Sequence, residues 1–490
     1  MKNFYRKEID GLRALGVIGV IIYHLEFFLD NKQILPGGFL GVDIFFVVSG
    51  YLITKILHDE YNLTGSISFI NFYFRRAKRL LPALIFVIFF SNFFAYKLLF
   101  PSEYDHYIKS VISSLFFVSN IFFHYSGQNY GESVISEKPL LHTWSLGVEE
   151  QFYIFFPIFL IFTLRFLNKY RVLLFILFIV FSFFLCFKIS STHPSFNFYF
   201  LTSRAWELLA GGLIVFINKY FEKFDNRAMS NLISLIGLSL IIISFFKLDD
   251  VSKHPSTYTI IPVIGCFLIL LNNDKNNYIK KFLSLSLFRG IGLISYSLYL
   301  WHYPIFVFGK ISNFTGIDNQ NLLAKLILLL AAFIISIISY FFIEKFFRKK
   351  INFKIINFII GILSIYFLCI FSLNILKIKH EKQFPLIAKE LKKSTWFETK
   401  QYFRPCFQRK KYFCSFNNQS ENSVFLIGDS IMASLQNELK KTLISKDFQF
   451  ITMTNAGCDF IKISDKDNQN IFCNSEIYKE RLINIKKKTK

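Results

Sequence analysis

Several features that mark metalloenzymes, exported proteins and transporters are missing from this 490-residue sequence. Histidine, cysteine, aspartate and glutamate do not cluster at the spacing of metal ligands, so no metal site is expected. The first apolar run is followed by Pro36-Gly37-Gly38 and a second apolar run, which argues against a cleaved signal peptide. No internal repeat and no pair of matched broken helices is apparent, which argues against a transporter.

Acidic side chains are also scarce. There are 33 of them against 56 lysines and arginines, which gives a net charge of +23. Such an excess can indicate nucleic-acid binding, but here the basic residues occupy short loops between apolar runs, as they do in the cytoplasmic loops of membrane proteins. We therefore expect no nucleic-acid partner and a chain surrounded by the lipid bilayer.

Long apolar runs are what the sequence has in abundance. It is 53% hydrophobic, with 65 phenylalanines and a mean hydropathy of +0.42. A helix needs about 20 apolar residues to cross the hydrocarbon core. The pattern predicts an all-α polytopic membrane bundle of ten helices plus one linking helix, followed by a partial α/β domain. The predicted spans are 12–29, 39–57, 80–100, 146–167, 172–189, 200–218, 231–247, 258–271, 289–308, 322–345 and, for the linking helix, 355–376.

The basic loops predict the topology. If the N-terminus is cytoplasmic, loops such as 74–79, 168–171 and 344–354 are basic and face the cytoplasm, whereas 309–319 on the other side is nearly neutral. A further apolar run, 107–125, would invert every later loop if it crossed. We therefore interpret it as a re-entrant or outer-surface helix.

The chain divides into three predicted parts. Residues 1–347 form the membrane domain, residues 348–394 a linking transmembrane helix with a juxtamembrane linker, and residues 395–490 a more polar tail on the outer side. An oxidising compartment would suit disulfides in the tail, for which pairing 406–414 with 458–473 is one of three possibilities, and four free thiols are the alternative. The candidate cysteines are Cys406, Cys414, Cys458 and Cys473.

Ionisable residues inside apolar spans cost about 2.5–3.5 kcal/mol each on insertion scales, so each is a candidate functional residue. Arg13 and His24 stand close to three helical turns apart in the first span, on one face and about 16 Å from each other along the axis. Glu149 and Glu150 open the fourth span, and His302 lies near the outer end of the ninth. We expect His24, these glutamates and His302 to converge, because a histidine with a carboxylate can act as a general base on a hydroxyl.

Arginines cluster just before the third span. Arg75, Arg76 and Arg79 lie within six residues of one another, and guanidinium groups match phosphate oxygens. The plainer interpretation is a basic topology anchor. Elsewhere, Arg204 and Glu207 are three residues apart and are predicted to share a helix face.

Five segments in collinear order between residues 5 and 345 resemble the acyltransferase-3 family of membrane O-acyltransferases. Each is weakly specific alone, and together they are highly specific. The segments are "DGLRALGVIGVIIYH" (10–24), "GGFLGVDIFFVVSGYLIT" (37–54), "FYFRRAKRLLPA" (72–83), "LHTWSLGVEEQFYI" (141–154) and "SYSLYLWHYPI" (295–305).

The resemblance implies an enzyme of the bacterial inner membrane that takes an acetyl group from cytoplasmic acetyl-CoA. The group passes to a hydroxyl of an extracytoplasmic glycan, with lipopolysaccharide or lipooligosaccharide as the leading acceptor and peptidoglycan as the alternative. By this likeness Arg13 and His24 are essential, and Arg76 and Arg79 contact the donor. Glu149 or Glu150 would belong to the active site.

The tail contains a second resemblance. Residues 423–439 predict a strand, a tight turn and a helix, and residues 448–458 the next strand and loop. The block ending in Asp429-Ser430 resembles the nucleophile block of SGNH-type esterases and acyltransferases. In that likeness Ser430 is the nucleophile, and its N–H and that of Gly457 are oxyanion donors.

The tail departs from this pattern because the last histidine of the chain, His380, precedes Ser430. A serine hydroxyl without a base is a weak nucleophile. We interpret residues 395–490 as the front part of an SGNH-like domain, truncated or completed by a partner chain, and do not expect Ser430 to be catalytic here. A transporter and an inactive remnant are the alternatives from other classes.

Overall fold

The structure is a computed structural model. Its described residues fall into two compact units, Met1–His380 and Glu381–Lys490. The described ranges are 5–29, 32–126, 135–221, 227–249, 254–272, 277–316, 321–348, 361, 364, 372–373, 375–380, 414–416, 423–428 and 443–454.

The first unit is built of α-helices. A small antiparallel hairpin follows the first helix, with strands β1 (Phe28–Leu29) and β2 (Lys32–Gln33). A π-helical turn, Tyr340–Glu344, joins the last two helices. The helices are α1 (Lys7–His24), α2 (Gly41–Thr64), α3 (Phe69–Leu98), α4 (Pro101–Leu115), α5 (Ser119–Ser126), α6 (Trp144–Phe166), α7 (Arg171–Ile189), α8 (Pro194–Tyr199), α9 (Leu201–Phe221), α10 (Arg227–Lys247), α11 (Ile260–Leu271), α12 (Tyr278–Leu283), α13 (Ser286–Ile311), α14 (Leu322–Ser339) and α15 (Lys345–Arg348).

The predicted helical membrane bundle is confirmed. By length and composition, eight helices among the described residues can cross a membrane, namely α2, α3, α6, α7, α9, α10, α13 and α14. Helices α1 and α11 occupy the two other predicted spans, but α1 contains charged residues and α11 has 12 residues. The predicted linking helix 355–376 lies largely outside the described residues.

The sequence predicts a single re-entrant or outer-surface helix for the apolar run 107–125, but the structure has two helices there. The run is divided between α4 and α5 by a break at which Phe117 has a φ of 54°, in the left-handed region. Neither piece is among the helices long and apolar enough to span. The run therefore contributes two short helices packed against the bundle.

The helices differ in how deeply they are buried. In α13, 83% of the apolar window is buried inside the protein, and in α2 the share is 72%. In α7 and α14 it is 17%, and their large apolar side chains face outwards, as expected for helices in contact with lipid. The centre of the bundle is thus formed by α13 and α2, together with α1 and α9 packed against them.

Glycines allow the central helices to approach closely. A Cβ atom added to Gly292 on α13 would lie 1.9 Å from the carbonyl oxygen of Asp10 on α1. A Cβ atom on Gly50 of α2 would lie 1.8 Å from the carbonyl oxygen of Leu208 on α9. Small residues at such contacts let helix backbones pack together in membranes. The two contacts set α1 beside α13 and α2 beside α9.

The second unit contains a three-stranded sheet among its described residues. Strand β4 (Ser423–Gly428) pairs in parallel with β5 (Gln449–Thr454), and β3 (Cys414–Phe416) pairs antiparallel with β5. The two strands expected in this region are therefore present. The SGNH-like assignment remains a prediction, because its residues Asp429, Ser430 and Gly457 lie outside the described residues, as do Cys406, Cys458 and Cys473.

Candidate functional site

Two cavities lie side by side along α13. The first, which we call the arginine cavity, has a volume of about 100 Å³ and is lined by Arg13, Arg76, Arg79 and Glu149 among others. The second, the histidine cavity, has a volume of about 570 Å³. Its lining includes His24, His142, Tyr303, Arg204 and His254. Val42 and Tyr299 line both cavities and form the wall between them.

The arginine cavity gathers guanidinium groups from two helices. Arg76 Nη2 lies 3.5 Å from Glu150 Oε1, and the Arg76 guanidinium lies over the ring of Tyr153, 4.2 Å from its centroid. Arg13 Nη1 is 3.6 Å from a carboxylate oxygen of Asp10. The buried Nε atoms of Arg76 and Arg79 have no hydrogen-bond partner among the described residues. Buried donors of this kind favour an anionic or oxygen-rich ligand.

The third arginine of the cluster lies elsewhere. Arg75 is exposed and forms an ion pair with Glu60, with Nη2 3.1 Å from the carboxylate. It does not line the arginine cavity. Helical rotation alone does not separate it from the others, because Arg75 and Arg79 are four residues apart and share a face of α3, as Arg76 and Arg79 do at three residues. The guanidinium of Arg75 is instead directed to Glu60 of α2.

The glutamates do not meet His24. Glu149 accepts hydrogen bonds from Ser49 Oγ at 3.1 Å and from the Tyr153 hydroxyl at 3.3 Å, and Glu150 pairs with Arg76. The expected convergence of both glutamates with His24 and His302 is therefore wrong. The reason is geometric: these residues lie on the part of α6 that faces α2 and α3, so their carboxylates meet groups from those helices.

His24 and His302 do come together. His24 Nδ1 lies 3.2 Å from His302 Nε2, and the two rings are stacked with centroids 5.3 Å apart. His302 Nδ1 lies 3.2 Å from the carbonyl oxygen of Leu298. A carbonyl can only accept, so His302 Nδ1 carries its proton, and in the neutral ring Nε2 must then accept from His24 Nδ1–H. The Nε2 atom of a neutral His24 consequently keeps its lone pair.

A third histidine, His142, completes the group and was missed by the sequence analysis. Its ring stacks on Tyr303, with centroids 5.3 Å apart, and lies 5.7 Å from the His302 ring. Neither of its ring nitrogens has a hydrogen-bond partner among the described residues. The signal was present, because His142 stands seven and eight residues before the glutamates in the segment "LHTWSLGVEEQFYI".

An ion-pair network lies beside the histidine cavity. Arg204 Nη1 donates to Asp43 at 2.7 Å and to Glu207 at 2.8 Å, which confirms that Arg204 and Glu207 share a face. Arg204 Nη2 lies 3.1 Å from His254 Nε2, and since a guanidinium only donates, this nitrogen accepts. Burial lowers the pKa of His254 to about 3, although the nearby Asp43 opposes the shift.

The network was only half predicted from the sequence. Asp43 and His254 were missed, although an aspartate inside the apolar run 39–57 was a usable signal. The network ties α2 to α9 and to the segment before α11. Its side chains are almost fully buried, which favours a supporting role for the cavity.

Comparison with known proteins gives a family match and matches to curated relatives. A family model described as an acyltransferase domain matches residues 6–341. O-acetyltransferase OatA of Staphylococcus aureus (strain NCTC 8325 / PS 47) is 38% identical over 359 residues, which cover 71% of this chain and 58% of that protein. OatA of Staphylococcus aureus (strain COL) has the same identity and the same two shares. No solved structure matches the chain.

The match to the relatives is partial. The chain spans 58% of the length of the curated relatives that it matches. The matched family region ends at residue 341, close to the end of α14, and contains every residue that lines the two cavities.

Proposed function

The chain belongs to the acyltransferase-3 family, and from this premise we propose that it is a membrane O-acetyltransferase. It moves an acetyl group from acetyl-CoA to a hydroxyl of an extracytoplasmic glycan. The observation that carries the proposal is His24, which lines the histidine cavity one wall away from the arginine cavity and is hydrogen-bonded to the buried His302.

His24 is the general base of this proposal. Its Nδ1–H donates to His302, so its Nε2 is available to take a proton from a hydroxyl in the histidine cavity. Proton transfer by a positioned side chain typically contributes about 10²- to 10⁴-fold to a rate. His302 is a positioning residue, because its own bond to the Leu298 carbonyl determines which nitrogen of His24 carries the proton.

The arginine cavity receives part of the acetyl-CoA donor. Its unpaired Nε atoms on Arg76 and Arg79 suit phosphate or carbonyl oxygens, as bidentate guanidinium groups do elsewhere. At about 100 Å³ the cavity accommodates only a fragment of the donor. The acetyl end reaches His24 past the wall formed by Val42 and Tyr299.

The acetyl group moves from the thioester sulfur of the donor to the glycan hydroxyl oxygen. The glycan hydroxyl oxygen attacks the thioester carbonyl carbon while its proton passes to His24 Nε2. The tetrahedral intermediate then expels the thiolate, so that a C–O bond has formed and the C–S bond has broken. The His24 imidazolium returns the proton to the thiolate, which yields the O-acetyl ester and the free thiol of coenzyme A. This is the proton cycle of general base and general acid catalysis.

The acceptor is a cell-envelope glycan. Lipopolysaccharide or lipooligosaccharide sugars are the first acceptor to test, and peptidoglycan is the second, since both present hydroxyls outside the inner membrane. In this arrangement the N-terminus is cytoplasmic and the tail is periplasmic, as the distribution of basic loops favours. The tail is not required for the step described here.

The test is the O-acetyl content of purified lipopolysaccharide and peptidoglycan, measured by mass spectrometry. Null mutant cells would carry the wild type, His24→Ala, Ser430→Ala or the control His193→Ala, which changes an exposed histidine outside both cavities. We expect O-acetyl groups with the wild type, with the control and with Ser430→Ala, and none with His24→Ala. If His24→Ala retained wild-type acetylation of either glycan, the proposed base would be refuted. Loss with Ser430→Ala would mean that the tail takes part.

A further inference from the structure

A third cavity lies at the far end of α13, outside the site described above. It has a volume of about 400 Å³ and we call it the Glu137 cavity. Its lining includes Phe100, Glu103, Tyr107, Glu137, Lys138 and Lys310.

The Glu137 cavity adjoins the histidine cavity. Lys310 lines both of them. The segment 135–139 runs between them, because Ile135 and Ser136 line the histidine cavity whereas Glu137 lines the third. Tyr303, which packs against His24, donates from its hydroxyl to the Ser136 carbonyl oxygen at 2.8 Å and holds this segment in place.

The three cavities follow one another along α13. Ser295 lines the arginine cavity, Tyr299 lines the first wall, Tyr303 lines the histidine cavity and Lys310 borders the third. With a rise of 1.5 Å per residue, Ser295 and Lys310 are about 22 Å apart along the helix axis. The donor site and the Glu137 cavity thus lie on opposite sides of His24, as two substrates entering from opposite membrane faces require.

The lining of the Glu137 cavity differs in chemistry from that of the arginine cavity. It contains two carboxylates, on Glu103 and Glu137, and two ammonium groups, on Lys138 and Lys310, so its formal charges cancel. None of the described residues that line it is an arginine. A phosphate group would require an excess of cationic donors, whereas a neutral polyhydroxyl ligand both donates and accepts and is suited to groups of both signs.

The cavity also offers an available acceptor and apolar faces. The half-buried Glu137 carboxylate has no hydrogen-bond or ion-pair partner among the described residues. Its neighbour Lys138 is engaged, because its Nζ donates to the carbonyl and hydroxyl oxygens of Ser126 at 3.2 and 3.1 Å. The exposed ring of Phe100 supplies aromatic surface for the C–H face of a sugar ring.

We propose that the Glu137 cavity is a carbohydrate subsite, which holds the sugar next to the one whose hydroxyl is acetylated in the histidine cavity. The inference rests on the proposed function for the identity of the reaction, but it assigns a separate site and a separate ligand group. Glu137 accepts hydrogen bonds from the hydroxyls of this neighbouring sugar and so favours oligosaccharides over single sugars.

The experiment measures binding and transfer separately, with the full chain in lipid nanodiscs. The probes are an oligosaccharide and a monosaccharide derived from lipopolysaccharide, and the same pair derived from peptidoglycan. For the glycan that the wild type binds, we expect Glu137→Ala to weaken oligosaccharide binding about tenfold, as loss of hydrogen bonds to a charged group does, and to leave monosaccharide binding unchanged. Glu137→Gln is expected to weaken oligosaccharide binding less than Glu137→Ala does.

The matched control is Asp59→Ala, which removes an exposed carboxylate of α2 paired with Lys55. Because Glu137 has no partner to lose among the described residues, thermal unfolding of Glu137→Ala should follow that of the wild type. The subsite is refuted if the wild type binds no oligosaccharide more tightly than its monosaccharide, or if Glu137→Ala affects both equally. A wild type that binds oligosaccharide in a Glu137-dependent way but transfers no acetyl group would instead refute the proposed function and leave the subsite standing.

Discussion

The proton on His24 is decided by neighbours that do not touch the substrate. The Leu298 carbonyl holds a proton on His302 Nδ1, and His302 Nε2 in turn holds a proton on His24 Nδ1. A chain of two rings and one carbonyl therefore selects one tautomer of His24, the proposed base. Such orientation is a property of single atoms, and substitutions at this scale should change the rate more than the binding of substrates.

The first prediction concerns His302. In His302→Ala the Nδ1–H of His24 loses its acceptor, the tautomer is no longer specified, and we expect kcat to fall about 100-fold. The KM for acetyl-CoA should stay within about twofold of the wild type, because the arginine cavity is untouched. In His302→Gln the amide oxygen can accept from His24, so part of the rate should return. Steady-state kinetics of the purified enzyme measures kcat for both variants. Equal losses of kcat in His302→Ala and His302→Gln would rule out an orienting role for the hydrogen bond between His24 and His302.

The second prediction separates two arginines of the same segment. Arg79→Ala removes a buried guanidinium that lines the arginine cavity, and we expect the KM for acetyl-CoA to rise about tenfold or more, as for lost hydrogen bonds to charged groups. Arg75→Ala is the matched control, because Arg75 is exposed and paired with Glu60. It should keep the wild-type KM. A similar rise in both variants would mean that general positive charge matters, not the cavity.

At the scale of elements, the site depends on how closely α1 approaches α13. The two helices meet where Gly292 leaves room for the backbone of Asp10. The same approach carries His24 to His302, ten residues further along α13. The packing of two helices thus sets the distance between two hydrogen-bonded rings, and a single added methyl group should disturb it.

The third prediction uses two glycines of one helix. Gly292→Ala places a Cβ atom 1.9 Å from a backbone carbonyl oxygen, so α1 and α13 must separate, and we expect a loss of about 1–3 kcal/mol in stability together with most of the activity. Gly290→Ala has no atom within 4 Å of the added Cβ and should be neutral or stabilising, since alanine favours helices over glycine by about 1 kcal/mol. Thermal unfolding in detergent measures the stability of both glycine variants. If both glycine variants unfolded alike, the close contact would not limit stability.

At the scale of the whole molecule, a wall separates the two cavities that we propose for the donor and the acceptor. The wall is thin, and its tyrosine is held by two bonds: the Tyr299 hydroxyl lies 2.7 Å from Ser145 Oγ and donates to the His142 carbonyl oxygen at 2.8 Å. A wall that admits only the acetyl end of the donor limits the amount of water that reaches the thioester, which would otherwise be hydrolysed.

The fourth prediction tests this wall. Tyr299→Ala joins the two cavities, and we expect acetyl-CoA hydrolysis in the absence of glycan to rise severalfold while transfer to glycan falls. Tyr299→Phe keeps the ring and should keep hydrolysis near the wild-type rate, at some loss of stability from the missing hydrogen bonds. Release of free thiol, followed with a colorimetric reagent, measures hydrolysis. Unchanged hydrolysis in Tyr299→Ala would show that the tyrosine does not separate the two spaces.

Much of the fold was predictable because the bilayer imposes a simple rule. Every backbone polar group in the hydrocarbon must be paired within a helix, so a long apolar run in the sequence becomes a membrane helix. The ten predicted spans accordingly each contain a helix. The exception was 107–125, where the apolar composition did not reveal the break at Phe117. A local left-handed conformation in a non-glycine residue has no compositional signal.

The sequence by itself determined the helical class, the family and the candidate residues His24, Arg13 and Arg76, because ionisable groups in apolar runs are costly and stand out. Tertiary structure alone decided which of them meet. His24 contacts His302, and His142 lies next to His302. Glu149 and Glu150 lie beside the arginines of α3, whereas Arg75 pairs with Glu60 outside the arginine cavity. Helix periodicity predicts the face on which a residue lies, but the neighbour of that face follows from the packing of helices distant in sequence, which no local pattern specifies.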